Sequence, residues 1–262
     1  MTNPLVSVLM TAYNRAEYIG KAIESVLAST YPNFELIIVD DGSRDDTLSI
    51  ARNRAANDSR IKVYLNEQNL GDYPNRNRAA SYATGKYIKY LDSDDLIYPH
   101  CLQVMVHGME SFAEAGLGLC SVPDAKTIYP VCLAPRDIYL EHFNGFGHFD
   151  RAPGSAIISR AVFESVGGFS GDRMIGDNQL WLKMARTWPL VKLPRDLVWD
   201  RQHSGQESRS DYAKDYERLR RNVLTEALQH PDCPLENTER EAFLKSLNGS
   251  RLKKKLKTLI GK

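Results

Sequence analysis

The chain has 262 residues, with 34 basic and 33 acidic side chains. The formal charge of +1 excludes the basic surplus of a nucleic-acid binder. A content of 42% hydrophobic and 26% charged residues excludes a mainly disordered chain, and no apolar run approaches the ~20 residues of a membrane span.

The first hundred residues alternate in type. Leu5–Met10 reads as a buried strand, and Ile19, Ala22, Ile23, Val26 and Leu27 then recur at helical spacing. Phe34–Val39 is a second buried strand. Asp45–Asn57 reads as a helix that Ser43 and Asp46 would cap. Ile61–Leu65 is a third strand, Arg76–Ala83 a helix stopped by Gly85, and Tyr87–Leu91 a fourth strand. This alternation predicts an α/β fold with a mostly parallel central sheet flanked by helices. A helix is expected from Pro99 to about Ala115, a strand over Leu117–Val122, regular structure from Ile157 to Val166, and helices over Asp177–Thr187 and Tyr212–Leu228. Between them, Phe143–Phe149 reads as loop-rich surface able to shape a binding site. The division expected is a main domain over 1–210 and a C-terminal helical extension over 211–262.

Four cysteines, Cys101, Cys120, Cys132 and Cys233, form no CxxC pair, so neither structural zinc nor a disulfide framework is expected. With no secretory leader legible in Met1–Pro4, reduced thiols in the cytoplasm are the expectation. The last twelve residues hold six basic groups and no acid, which leaves the rest at 1 − 6 = −5. Leu252, Leu256, Leu259 and Ile260 share one helical face. Such a segment can lie on the inner face of an anionic membrane, or be a solvated helix or frayed tail.

In open α/β sheets ligands bind beyond the carboxyl ends of the strands. Those ends carry Thr11-Ala12-Tyr13-Asn14, Asp40-Asp41-Gly42-Ser43 and Asp92-Ser93-Asp94-Asp95. Asp92 and Asp94, two apart in an extended segment, would present carboxylates together to a hard divalent cation, or merely end a strand. Tyr13 would stack on a flat base or lid the core. Asp40 and Asp41 would accept from a base N–H or shape a turn.

In combination and order these segments closely resemble family 2 glycosyltransferases. So do Asn69-Leu70-Gly71 with Arg76-Asn77 and Ala79-Ala80, and Gly154-Ser155 leading to Val166-Gly167-Gly168-Phe169. The resemblance spans about residues 4–210. It implies a GT-A fold, an inverting transfer from a nucleotide-sugar, with a UDP-sugar as the expected donor, and Mn²⁺ or Mg²⁺ as cofactor. Thr11 and Tyr13 would then hold the base, Asp41 would hydrogen-bond it with Asp40 the weaker candidate, Arg76 would assist the diphosphate, Asp92 would touch the ribose, and Asp94 would ligate the metal. His203, in Arg201-Gln202-His203 followed by Ser208, would approach the metal or the diphosphate. Asp177 falls at the catalytic base, or simply caps its helix. Gly176 departs from the Glu-Asp pair frequent there. The Gln-x-x-Arg-Trp motif of processive synthases is missing, which argues against a synthase that extrudes its product. The expected acceptor is a glycan, or a lipid-linked sugar if the basic tail binds membrane.

Other classes fit less well. A sugar nucleotidyltransferase needs a glycine-rich segment where Thr11–Arg15 stands, and a nucleotide-sugar-binding module without catalysis would not need Asp94 and Asp177. No G-x-G-x-x-G or Walker A sequence is present.

Overall fold

The computed structural model describes residues 3–121, 128–203, 206 and 214–260, with side chains to residue 249. Its frame is an eight-stranded sheet. Four strands run in parallel at one side: β1 (Val6–Ala12), β2 (Phe34–Asp40), β3 (Ile61–Leu65) and β4 (Tyr87–Tyr90). A two-residue strand, β5 (Leu96–Ile97), follows outside that sheet. The other half holds β6 (Leu117–Cys120), β7 (Val131–Leu133), β8 (Ala156–Ser159) and β9 (Leu190–Leu193), and the order across the sheet is β3-β2-β1-β4-β8-β6-β9-β7. Only β8 and β7 run against the rest. β5 pairs antiparallel with β10 (Val198–Trp199).

Side chains alternate across the sheet with the period of two that strand geometry imposes. Val8, Met10, Leu36 and Ile38 enter one apolar layer, covered by α1 (Ile19–Leu27), α2 (Thr47–Ala55) and α4 (Cys101–Glu110). Leu9, Ile37, Val39 and Tyr90 enter the other, covered by α3 (Asp72–Ala80), α5 (Pro135–Glu141), α6 (Arg160–Ser165) and α7 (Gly176–Ala185). Val223, Leu224, Ala227 and Leu228 of α8 (Tyr216–Gln229) join that second layer, and Phe243 and Leu244 of α9 (Asn237–Ile260) pack against it. The four cysteines are free thiols. Among the described residues no helix is long and apolar enough to cross a membrane.

Three details differ from the sequence expectation. Asp45, not Ser43, meets the start of α2: its Oδ1 accepts from the Thr47 amide at 3.0 Å, while the Ser43 hydroxyl accepts from the Asn14 amide at 2.9 Å. α3 begins at Asp72, four residues before Arg76. The aromatic segment is less surface than core, because α5 continues into a π-helical turn, His142–Phe146, that turns rings inward. Phe149 and His142 are buried and Phe143 packs on the core, leaving Phe146 exposed. The apolar face of the tail lies outside the described side chains.

Candidate active site

The loops beyond β1 and β2 are knitted into one wall. The Asp41 amide donates to the Ala12 carbonyl at 2.8 Å, and the Gly42 and Ser43 amides donate to Asp40 Oδ1 at 3.1 and 2.8 Å. Asn14 turns the chain in the left-handed region (φ 53°), and its Oδ1 accepts from the Arg44 amide at 2.8 Å. Thr11 is part-buried on β1 opposite Val39. Tyr13 is 41% exposed, so its ring is free of the core and offers a face.

Asp40 and Asp41 are both buried. Asp41 Oδ1 accepts from Asn66 Nδ2 at 2.7 Å and from the Leu70 amide at 2.9 Å, and Oδ2 accepts from the Gly71 amide at 2.9 Å. Asp41 therefore fixes the loop that leads from β3 into α3. Asp40 Oδ2 is buried without a partner.

α3 is the hub of the site. Asn75 accepts from Asn66 Nδ2 at 2.9 Å, and Asn77 holds both main-chain polar groups of Phe169, donating to its carbonyl at 2.9 Å and accepting from its amide at 3.0 Å. Arg76, expected to assist the diphosphate, is buried: Nε donates to Asp72 at 2.8 Å, Nη2 to Asp92 at 2.7 Å, and Nη1 has no partner. One turn earlier on the same face, the Tyr73 ring packs against Gly176 and its hydroxyl acts on the neighbouring Asp177 carboxyl. α3 thus touches Asp92 with one side chain and Asp177 with another.

Asp177 lies in the first turn of α7 rather than at the cap, which is Ile175. Its Oδ1 accepts from the Asn178 amide at 2.8 Å. Burial raises its carboxyl to about 6, against the lowering effects of the Asn178 amide, Arg76 and Tyr73. That value suits a group that is ionised at neutral pH yet still basic. Gly176 is explained by contact: a β-carbon there would stand 2.8 Å from Tyr73 Cε2.

Asp94 Oδ2 receives Arg15 Nε at 2.9 Å and lies 3.0 Å from His203 Nε2. Arg201 lies against this turn, its amide donating to Asp95 Oδ1 at 2.9 Å and its Nε to the Asp94 carbonyl at 2.8 Å. The Tyr18 ring lies 4.8 Å from that of His203 and 5.1 Å from the Arg201 guanidinium. Ser208 lies outside the described residues. Burial, then Asp92, pushes Asp95 up to about 7, the Arg201 amide opposing.

The donor set fits a divalent cation. Asp94 and His203 supply one carboxylate and one imidazole that could hold it, although here they engage each other and Arg15. No group of three or more His, Cys, Asp or Glu ligands occurs among the described residues. Any such ion would take its remaining ligands from phosphate and water, the usual habit of Mg²⁺.

Sequence reasoning named the strand-end carboxylates, Asp177 and His203 as candidates. It missed Tyr73 and the Arg15–Asp94 pair. Arg15 follows Asn14 directly, and Tyr73 stands three residues before Arg76, so position offered a signal for both.

Comparison with known proteins agrees with this fold and layout. Residues 7–167 match the sequence profile described as Glycosyl transferase family 2, and the chain belongs to that family. A relative from Escherichia coli, "UDP-Glc:alpha-D-GlcNAc-diphosphoundecaprenol beta-1,3-glucosyltransferase WfgD", is 40% identical over 109 residues, 42% of each chain. The Staphylococcus aureus TarS 1–349 structure in complex with UDP-GlcNAc superposes with a TM-score of 0.74 at 21% identity, over 92% of this chain and 71% of that one. The mannosyltransferase PcManGT from Pyrobaculum calidifontis, in complex with GDP-Man and Mn²⁺, gives 0.63 at 21% identity, over 87% and 64%. Both neighbours are GT-A glycosyltransferases, and that is the fold of this chain. The chain spans 33%, 17% and 50% of the lengths of the first three curated relatives it matches.

Proposed function

We propose that the protein is an inverting glycosyltransferase that moves a sugar from a nucleotide-diphosphate donor, a UDP-sugar, to an acceptor hydroxyl. The observation that carries this is the double contact of α3: Arg76 to Asp92 and Tyr73 to Asp177. It sets an acidic strand end and an elevated carboxylate at one cleft.

In this reading Tyr13 stacks on the base and Thr11 lines it. Asp41 Oδ2, which carries one hydrogen bond, keeps a lone pair for a base N–H. Asp92, held by Arg76, meets the ribose, and Arg76 backs the diphosphate. Asp94 and His203 would hold Mn²⁺ or Mg²⁺, which would supply positive charge to the departing diphosphate. Arg15 holds Asp94 in place and adds a fixed positive charge beside it.

Asp177 acts as general base. The acceptor oxygen forms its bond to the anomeric carbon as the bond to the diphosphate oxygen breaks, and the acceptor proton passes to the Asp177 carboxylate. The products are the glycoside, UDP and one proton. One displacement through an oxocarbenium-like state inverts the anomeric centre. The Mn²⁺ and GDP-Man in PcManGT and the UDP-GlcNAc in TarS support a metal-assisted nucleotide-sugar site.

The acceptor is a glycan hydroxyl. A lipid-linked acceptor follows if the basic segment 251–262 holds the chain to an anionic membrane. Sedimentation with anionic liposomes before and after its removal separates that from a solvated tail.

Thermal melting with UDP, GDP, CDP and dTDP, each with and without Mn²⁺, tests the donor. Binding at ~100 times the dissociation constant adds ~2.7 kcal/mol. A shift confined to UDP with Mn²⁺ is expected. A shift with another nucleotide moves the donor class, and none with any nucleotide overturns the reading.

A further inference from the structure

Asn77 and the Gly167-Gly168-Phe169 turn take no part in the binding or proton transfer proposed above, yet they grip each other across 92 residues of chain. Asn77 Nδ2 donates to the Phe169 carbonyl at 2.9 Å, and Asn77 Oδ1 accepts from the Phe169 amide at 3.0 Å. Neither main-chain group has another hydrogen bond among the described residues. An amide suits this pairing because one planar group offers a donor and an acceptor. The fit is close: Gly168 turns in the left-handed region (φ 70°), and a β-carbon there would stand 2.5 Å from Asn77 Oδ1.

What the turn carries is the helix of Asp177. Between α6 and α7 the chain has no regular structure, and Gly167, Gly168, Gly171 and Met174 all have positive φ. Such a stretch takes its position from its anchors. Gln179 Nε2 donates to Asp172 at 2.8 Å, and Lys183 Nζ donates to the Val166 carbonyl. Both side chains come from α7, so these bonds join the turn and α7 into one unit. Asn77 joins that unit to α3. Rings fill the rest of the seam: Phe169 lies 5.0 Å from Tyr73, and the Tyr73 ring stands where a β-carbon of Gly176 would be. On α3, Tyr73, Arg76 and Asn77 fall at i, i+3 and i+4 and share a face. That face reaches Gly176 beside Asp177, the Asp92 carboxylate and the Phe169 turn.

We infer that Asn77 is a positioning residue: by clamping the Phe169 turn to α3, it holds the α7 unit on α3 and keeps the Asp177 carboxyl at its buried depth beside the Asp92 strand end. The inference rests on the reading of Asp177 as base. Without the clamp the seam opens, the carboxyl gains water, and the acceptor proton is no longer aligned with it. The ionisable groups that act on Asp177 are Asp72, Tyr73 and Arg76 from α3 and Tyr216 from α8, and none of them is altered in the variants below.

A thermodynamic cycle in the full chain tests this without any substrate. Urea unfolding from about pH 4 to pH 8 compares the parent with Asp177→Asn, and Asn77→Ala with the double variant. In each pair the advantage of the asparagine form grows with pH until the folded carboxyl is ionised. In the parent pair that growth ends at about 6. In the Asn77→Ala pair it should end about one pH unit lower, because a carboxyl that regains water returns toward its ordinary value. Asn77→Ser, which keeps a single hydroxyl, should fall between. Glu35→Gln weakens the fold away from the cleft and should leave the end point where it is. Asn77→Ala should also keep UDP–Mn²⁺ affinity within about twofold while UDP release falls about tenfold or more. An end point that stays at the parental pH in Asn77→Ala and Asn77→Ser, or one that moves equally in Glu35→Gln, overturns the inference. If Asn77→Ala does not fold, Asn77→Ser decides it. A rate retained by Asp177→Asn overturns the base reading instead, and the cycle then decides the placement of the carboxyl alone.

Discussion

The ring of Tyr73 occupies the place of a side chain at residue 176: a β-carbon on Gly176 would meet Tyr73 Cε2, Cδ2 and Cζ at 2.8–2.9 Å. The glycine is thus the counterpart of a buried tyrosine, and the tyrosine hydroxyl supports the neighbouring Asp177 in place of a second acid. Gly176→Glu should destabilise the fold by about 1–3 kcal/mol through overpacking. Added to Tyr73→Ala it should cost less than the two single changes summed, a coupling that a double-mutant cycle in urea measures.

Tyr73→Phe keeps the packing and removes the hydroxyl. Its loss should raise the Asp177 carboxyl further, moving the acid limb of the rate profile to higher pH. At neutral pH kcat should fall about twofold, and more below pH 6, with KM little changed. An unchanged limb would make Tyr73 a packing residue only.

The carboxyl of Asp177, raised by burial to about 6, sets two pH dependences. As base it must be ionised, so kcat rises with pH through about 6 and levels off above. For stability the sign is opposite. The folded state binds this proton more tightly than the unfolded state, so ionisation weakens the fold as pH rises from about 3.8 to about 6. Asp177→Asn should therefore be more stable than the parent at pH 7, by about 1–2 kcal/mol, and the difference should shrink on acidification. Melting curves at pH 5 and pH 7 check this.

Arg76 joins Asp72 and Asp92 from a buried position. Arg76→Ala leaves both carboxylates without their partner and should cost about 3 kcal/mol. Arg76→Lys should recover only part, because one ammonium replaces a guanidinium that spans two acids. Urea titration measures both, and UDP affinity should weaken in the same order.

Glu35 provides a control away from the cleft. It is desolvated, yet hydrogen bonds from Lys62, Ser7 and the amide and hydroxyl of Thr84 bring its carboxyl down from 4.5 to about 2. Its contribution is present above pH 4.5 and is lost as pH falls through about 2. Glu35→Gln should lower stability at pH 7 by roughly 2–3 kcal/mol and flatten the acid limb of the stability curve, with nucleotide binding untouched.

Much of the first half was legible because β1, β2 and β4 are buried on both faces. All seven residues of β2 are buried, so an unbroken apolar run is a reliable sign there. The second half was harder to read. β8 runs antiparallel between β4 and β6, and Phe143–Phe149 reads as loop-rich surface although Phe143 and Phe149 pack on the core. In the site, the strand-end rule found Asp41, Asp92 and Asp94. The partnerships escaped it: Arg76 with Asp92 and Tyr73 with Asp177 depend on the rotation of α3 against the sheet, which its weak apolar pattern does not fix. Asp41 was read as a base ligand or a turn residue and not as the anchor of the β3–α3 loop, because the three donors it gathers lie 25 to 30 residues away.

The central claim is that Asp177 takes the acceptor proton at a site that binds a nucleotide donor without it. The direct measurement pairs UDP–Mn²⁺ affinity with UDP release from a panel of UDP-sugars and sugar acceptors, for the parent chain and Asp177→Asn. The account predicts a parent that turns over, and a variant with parental affinity whose rate falls by about 10²–10⁴. A variant that keeps its rate, or one that loses binding and turnover equally, would contradict it.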